Sequence, residues 1–307
     1  MLKNISEFRL DIKLFKFIQR LIKMIKFEGI DEKTALRILN SEISTSLKNF
    51  LNQILEINEE QIKFYQQNGF IKIENVLEEE FVLEVKKIIE SAVFIRKGKD
   101  ERELKEKSRY EQSFLQCGYL CWDYPAVKEI VFSKRFAAIA KYLLQAEHIR
   151  LWHDQALFKE AGGRVTDEHQ DCSYWPVREP QFSTTMWLAL VDIPIEMGCL
   201  YFYPETNNPE LREYVDIFKN PHSPDFLNNK EKIYVPLKTG DATFHSGLIF
   251  HGAGENKTNQ MREVMTIIYI KDGVTFDASD YRNKSHTSCI GLNNGDLINT
   301  KYTPILI

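Results

Sequence analysis

A chain of 307 residues with 43% hydrophobic and 27% charged residues holds enough apolar material for a sizeable core, which excludes a disordered chain. Its 40 Lys and Arg against 44 Asp and Glu give a formal charge of -4, so no chain-wide basic field recruits nucleic acid or anionic lipid. Cys117, Cys121, Cys172, Cys199 and Cys289 are odd in number and lack Cys-x-x-Cys spacing, which argues against a disulfide framework and for a reducing cytoplasm.

The N-terminal stretch is apolar and basic, but charges interrupt it every few positions and no small-residue cleavage site follows, so neither a signal peptide nor a membrane span is expected. Phe8, Ile12, Phe15, Ile18, Ile22 and Ile25 follow the spacing of an amphipathic helix, and Lys3, Arg9, Lys13, Lys16, Arg20, Lys23 and Lys26 outnumber Glu7 and Asp11. A helix packed on its own domain is the simpler reading of this stripe, and contact with a membrane surface is the alternative. Residues 1–57 are read as an N-terminal helical extension and 58–307 as the main domain.

After Asn58, Glu-Glu-x-Ile-x-Phe-Tyr predicts a helix that stops at Gly69, and Phe70-Ile-Lys-Ile73 alternates like a short strand. Glu78 to Ile95 and Val127 to Leu144 each carry helical periodicity, while Arg96 to Lys107 is densely charged and expected to be exposed. From Ile149 the texture changes. Thr184 to Ile193, Leu200 to Tyr203, Lys232 to Val235, Ala242 to Phe250 and Val264 to Ile270 are β-rich runs separated by turn residues, with no helical period between them. The expected class is therefore mainly β with flanking helices, a double-sheet jelly roll framed by the N-terminal helices.

His169-Gln-Asp171 places an imidazole and a carboxylate two positions apart, on one face of an extended segment. Two of the three ligands of a facial triad would then be in hand, the set with which non-haem Fe(II) oxygenases hold iron while leaving a face open. His251, before Gly252-Ala-Gly254, is the expected third ligand. His245 competes with it, six residues earlier and on the same face of a continuous strand, and otherwise serves to orient a neighbour. Arg262 is predicted on the next strand, on a face shared with Val264, Thr266 and Ile268, and a buried guanidinium there requires an anion. The distal carboxylate of 2-oxoglutarate would supply it.

His169-Gln-Asp-Cys-Ser-Tyr-Trp-Pro176, Met186-Trp-Leu-Ala-Leu190, Gly198-Cys-Leu200 and Phe244-His-Ser-Gly-Leu-Ile-Phe-His-Gly-Ala-Gly254, with Asn256 and Arg262, closely resemble the phytanoyl-CoA dioxygenase family. The resemblance runs from the Glu59 helix, through His153-Asp-Gln-Ala-Leu-Phe-Lys159, to Gly295-Asp296 and Pro304. It implies a double-stranded β-helix over residues 58–307 that uses Fe(II), 2-oxoglutarate and O2 to hydroxylate a small molecule, releasing succinate and carbon dioxide. Carried over by position, His169, Asp171 and His251 match the iron ligands and Arg262 the 2-oxoglutarate clamp. Gln155, Trp187 and Lys159 match positions around the cosubstrate. Glu168, Ala161 and Ala253 depart from residues frequent at those places without removing a ligand. Asp171 fills the position that halogenases leave empty.

Tyr174, Trp175, Tyr201 and Tyr203 flank the metal motif and are expected to line an aromatic substrate pocket. Residues 205–230 are longer than most connections and read equally as a lid or as a solvated insertion. No compact basic cluster suited to acyl-CoA phosphates stands out. Two other readings keep the scaffold: a cupin-like metal enzyme that does not use 2-oxoglutarate, and a non-catalytic binding module. The sequence leaves oligomeric state and substrate identity open.

Overall fold

Alternation along the strands decides which side chains meet in the middle of the molecule. The protein is described by a computed structural model covering residues 27, 30–219, 221–279 and 286–307. The predicted amphipathic helix, with its apolar face from Phe8 to Ile25 and its basic residues from Lys3 to Lys26, lies outside the described residues. Helices α1 (Glu32–Asn40), α2 (Thr45–Asn52) and α3 (Glu59–Asn68) lead into strand β1 (Phe70–Ile73), followed by α4 (Glu79–Lys97), β2 (Leu115–Gly118), α5 (Leu120–Asp123), α6 (Pro125–Val131) and α7 (Lys134–Leu143). The strands that follow are β3 (Ile149–Phe158), β4 (Thr166–His169), β5 (Ser183–Ala189), β6 (Leu200–Phe202), β7 (Ile233–Val235), β8 (Ala242–Ser246), β9 (His251–Ala253) and β10 (Val264–Lys271).

The helix α3 starts and stops where the sequence predicts. The Asn58 side chain accepts from Gln61 N, the Gln61 side chain accepts from Asn58 N, and Gly69 ends the helix at φ 79. Val127 to Leu144, by contrast, is not one helix. Ser133 lies beyond the end of α6 and its hydroxyl accepts from Phe136 N, capping α7 as a separate helix. Lys107, predicted exposed, is buried against Glu160, with which it pairs. Leu39, Leu47 and Phe50 pack in one cluster with Val85, Phe136 and Ile139, so α1 and α2 share the core of the helical layer.

The strands form two antiparallel sheets, ordered β1-β8-β5-β10-β3-β2 and β4-β9-β6-β7, the two walls of the predicted jelly roll. On the larger sheet, Met186 and Leu188 of β5, Phe244 of β8, and Met265, Ile267 and Tyr269 of β10 join the helical cluster. The alternate residues therefore point the other way. Those are Thr185 and Trp187, His245, and Thr266, which face a cavity between the sheets. Burial of apolar side chains on the helical side, at about 25 cal/mol per Å² removed from water, fixes this register, because a one-residue slip would turn every inward residue outward.

One predicted strand is broken. Ala242 to Phe250 is not continuous: β8 ends at Ser246, the chain turns through Gly247, and β9 begins at His251 in the other sheet. At Gly247 the backbone passes so close to β5 that an added Cβ would lie 2.3 Å from Ser183 Oγ. His245 and His251 are therefore on different strands of different sheets, not on one strand face.

Candidate active site

The two sheets converge on His169, Asp171 and His251. His169 ends β4 and His251 begins β9, and the antiparallel register places them opposite one another. Gln170 is extended, at φ -115 and ψ 127, so Asp171 projects to the same side as His169 before the chain enters a short 3-10 turn. One ligand atom from each of His169, Asp171 and His251 lies within 4.8 Å of the others. Asp171 Oδ1 is 3.5 Å from His169 Nε2 and 3.7 Å from His251 Nε2.

The hydrogen bonds behind these atoms prepare them as ligands. His169 Nδ1 is 2.8 Å from the Asp167 carbonyl and His251 Nδ1 is 3.1 Å from the Ile249 carbonyl. A carbonyl oxygen only accepts, so Nδ1 carries the proton in each ring and the Nε2 lone pair is left for a metal. Burial, reinforced by the neighbouring His169, pushes His251 down to about 3, which keeps its imidazole neutral. Burial raises Asp171, but His251, His169 and His245 outweigh it and hold the carboxyl well below its ordinary range. Its second oxygen, Oδ2, accepts from Thr185 Oγ1 at 2.8 Å and lies 3.3 Å from His245 Nε2. This is the donor set of the two-His, one-carboxylate face that suits Fe(II), and the residues present fit that ion.

Arg262 lies two residues ahead of β10, joined to Lys159 by a pair of backbone hydrogen bonds. Only 1% of it is exposed. Its Nη1 donates to the Gly198 carbonyl at 2.7 Å, its guanidinium sits 5.1 Å from the Trp187 ring centre, and its Nε has no hydrogen-bond partner. Burial lowers its pKa to about 9. A guanidinium this buried, with an unsatisfied N–H and facing a cavity, fits an anionic guest.

The cavity has a volume of about 390 Å³ and is lined by His169, Asp171, His251, Arg262, and the predicted Gln155, Trp187, Tyr174 and Trp175. Three predicted contacts, Lys159, Tyr201 and Tyr203, do not line it. Lys159 is fully buried elsewhere, with Nζ donating to the Arg164 and Gly254 carbonyls at 2.6 and 2.8 Å and lying 3.5 Å from Thr166 Oγ1. It therefore cross-links backbone and is not a cosubstrate contact. Tyr201 alternates with Leu200 on β6: Leu200 faces the cavity, whereas the hydroxyls of Tyr201 and Tyr203 both donate to Glu168 Oε1 at 3.1 Å, beside Lys232 Nζ at 2.9 Å. Residues 205–230 are more than a solvated insertion, since Val215, Ile217 and Leu227 are buried against Phe250 and Phe218 reaches the cavity. Sequence reasoning missed Thr185, and it missed Tyr110, Tyr119, Phe218 and His286, which line the cavity from segments without regular periodicity. The only signal for Thr185 was a polar pair at the start of a β-rich run.

Residues 65–264 match the family model described as phytanoyl-CoA dioxygenase (PhyH). The peroxisomal phytanoyl-CoA dioxygenase of Homo sapiens is 28% identical over 233 residues, covering 70% of this chain and 68% of that protein. The probable phytanoyl-CoA dioxygenase of Caenorhabditis elegans is 29% identical over 159 residues, covering 48% and 49%. Among solved structures, the non-heme alpha ketoglutarate dependent carbocyclase SnoK superposes with a TM-score of 0.68 at 23% identity, covering 81% of this chain and 96% of that one. The epimerase SnoN, in complex with Fe3+, alpha ketoglutarate and nogalamycin RO, gives 0.64 at 23% identity, covering 81% and 98%. Both share the fold found here.

Proposed function

The chain belongs to the phytanoyl-CoA dioxygenase family, the non-haem Fe(II)- and 2-oxoglutarate-dependent oxygenases, and on that premise we propose that His169, Asp171 and His251 hold the iron, that Arg262 anchors the far carboxylate of 2-oxoglutarate, and that a small molecule is hydroxylated. The observation that carries the assignment is the pairing of a neutral-imidazole and carboxylate donor set with a buried, partly unsatisfied guanidinium in the same cavity. Bound together, Fe(II) and 2-oxoglutarate supply the oxidation: O2 is consumed, 2-oxoglutarate leaves as succinate and carbon dioxide, and the substrate gains a hydroxyl group.

The chain's own residues bind and orient. Arg262 offers its Nε and remaining N–H groups to the anion while Trp187 covers the guanidinium face. Gln155 lines the cavity, and its Oε1 is fixed by Gln116 Nε2 at 2.5 Å. Tyr174 and Trp175, which follow the Asp171 turn, are the substrate contacts in this reading. The main domain in this reading is 58–307, and of the preceding residues the described α1 and α2 pack on it. Five free, buried cysteines support a cytoplasmic location, and no described helix is long and apolar enough to cross a membrane.

Anaerobic titration of the metal-free chain with Fe(II) and then 2-oxoglutarate tests the assignment. A saturable visible charge-transfer band is expected, absent in His251→Ala and shifted to far higher 2-oxoglutarate in Arg262→Ala. Iron bound without a band would favour the cupin-like reading instead.

A further inference from the structure

The walls of the cavity bear on which substrate can enter. A series of ring contacts leads outward from the metal site: His169 to Tyr174 at 5.9 Å between centres, Tyr174 to Phe218 at 5.7 Å, Phe218 to Tyr110 at 4.5 Å, and Tyr110 to Phe114 at 5.0 Å. Phe218 is 41% exposed, so the series reaches solvent at its third ring, while Phe114 beyond it is buried. Tyr174 comes from the turn after β4, Tyr110 and Phe114 from residues 108–114, and Phe218 from the insertion between β6 and β7, so the last two segments meet through Tyr110 and Phe218.

The same walls are almost without charge. Among the described residues lining the cavity, Asp171 is the one carboxylate and Arg262 the one Lys or Arg, and both already have roles in the oxygenase reading. His153 and His286 also line it, but burial pushes them down to about 3 and about 4, so neither carries a positive charge near neutral pH. A phosphate or carboxylate that entered the cavity would be desolvated with no free Lys or Arg among the described lining residues to receive it. Neutral hydrogen-bonding groups do face inward, including the buried, unpartnered Nδ1 of His153. A volume of about 390 Å³, near the lower end of small-molecule sites and shared with 2-oxoglutarate, suits a compact guest.

We propose that the substrate is an uncharged, ring-bearing small molecule that packs against Tyr110, Tyr174 and Phe218, and not an acyl-CoA or other phosphate-bearing compound. The proposal rests on the oxygenase reading above, and Tyr110 and Phe218 become its specificity-determining residues. The hydrogen bond from the Tyr110 hydroxyl to Gln116 Oε1, 2.8 Å long, fixes one side of the aromatic wall.

The test uses the full chain loaded anaerobically with Fe(II) and 2-oxoglutarate, whose visible band is recorded before any probe is added. Three probes follow: 2-naphthol, 2-naphthoate and hexadecanoyl-CoA. The expected result is a saturable perturbation of the band by 2-naphthol, binding at least about tenfold weaker for 2-naphthoate, and none for hexadecanoyl-CoA. Tyr110→Ala and Phe218→Ala should each weaken 2-naphthol by about tenfold, whereas Tyr110→Phe, which keeps the ring, should stay within about twofold. Tighter binding of either charged probe, a band that 2-naphthol does not move, or alanine variants that bind it normally would overturn the proposal. Failure of the band to form before any probe is added would instead overturn the oxygenase reading.

Discussion

At the scale of single residues, the most informative atom is Asp171 Oδ2, the carboxylate oxygen turned away from His169 and His251. Thr185 Oγ1 at 2.8 Å and His245 Nε2 at 3.3 Å hold it, which leaves Oδ1 as the oxygen facing the His169 and His251 rings. Thr185→Val keeps the shape and removes the donor. It should weaken Fe(II) binding by roughly tenfold in calorimetric titration, while Thr185→Ser should retain most of it. Lys159 gives the opposite contrast. Lys159→Met removes the donor to the Arg164 and Gly254 carbonyls, so denaturant unfolding should show a loss of about 1–3 kcal/mol, with 2-oxoglutarate affinity unchanged. The grouping of His169, Asp171, His251 and Arg262 around one cavity was legible because they stand in a distinctive order of motifs. The role of Lys159 was not, since a sequence does not say which backbone carbonyls will surround an ammonium group.

At the scale of elements, strand β9 is short and closely confined. It carries His251 and pairs with both β4 and β6. A Cβ at Gly252 would lie 2.5 Å from Tyr201 Oη and 2.8 Å from the Thr166 carbonyl, so Gly252→Ala must push β9 away from one neighbour or the other. The expected outcome is a folded chain with weakened Fe(II) binding, because His251 moves with its strand; circular dichroism and metal titration together check it. The runs that form β1, β5, β6, β7 and β10 were readable from β-rich composition and turn residues. The division of the Ala242 to Phe250 run was not, because Leu248, Ile249 and Phe250 continue an apolar run while the chain is crossing between sheets. The same limit hid the aromatic wall: Tyr110 and Phe218 lie in connections whose paths depend on tertiary packing rather than on a repeat.

At the scale of the whole molecule, acid and metal both act on stability. Asp154 is fully buried on β3, accepts from the Leu120 and Cys121 backbone N–H groups, and is raised by burial to about 6 from an ordinary value of 3.8. Between those values the unfolded chain releases a proton that the folded chain retains, so this group's contribution falls as pH rises from about 4 to 6, by about 3 kcal/mol in total. Asp154→Asn should flatten that part of the stability profile, read as denaturation midpoint against pH for the metal-free chain.

Asp171 touches both walls of the jelly roll: its Oδ1 faces histidines of the smaller sheet, and its Oδ2 is held by Thr185 and His245 of the larger one. A cation seated there acts as a rivet through two plates. Occupancy at about a hundredfold excess over Kd would add about 2.7 kcal/mol to the folded state, so a chelator should lower the melting temperature by several degrees. Starving the chain of iron would then do more than idle it: the share of unfolded molecules exposed to proteolysis would rise, making metal supply a determinant of how much protein persists.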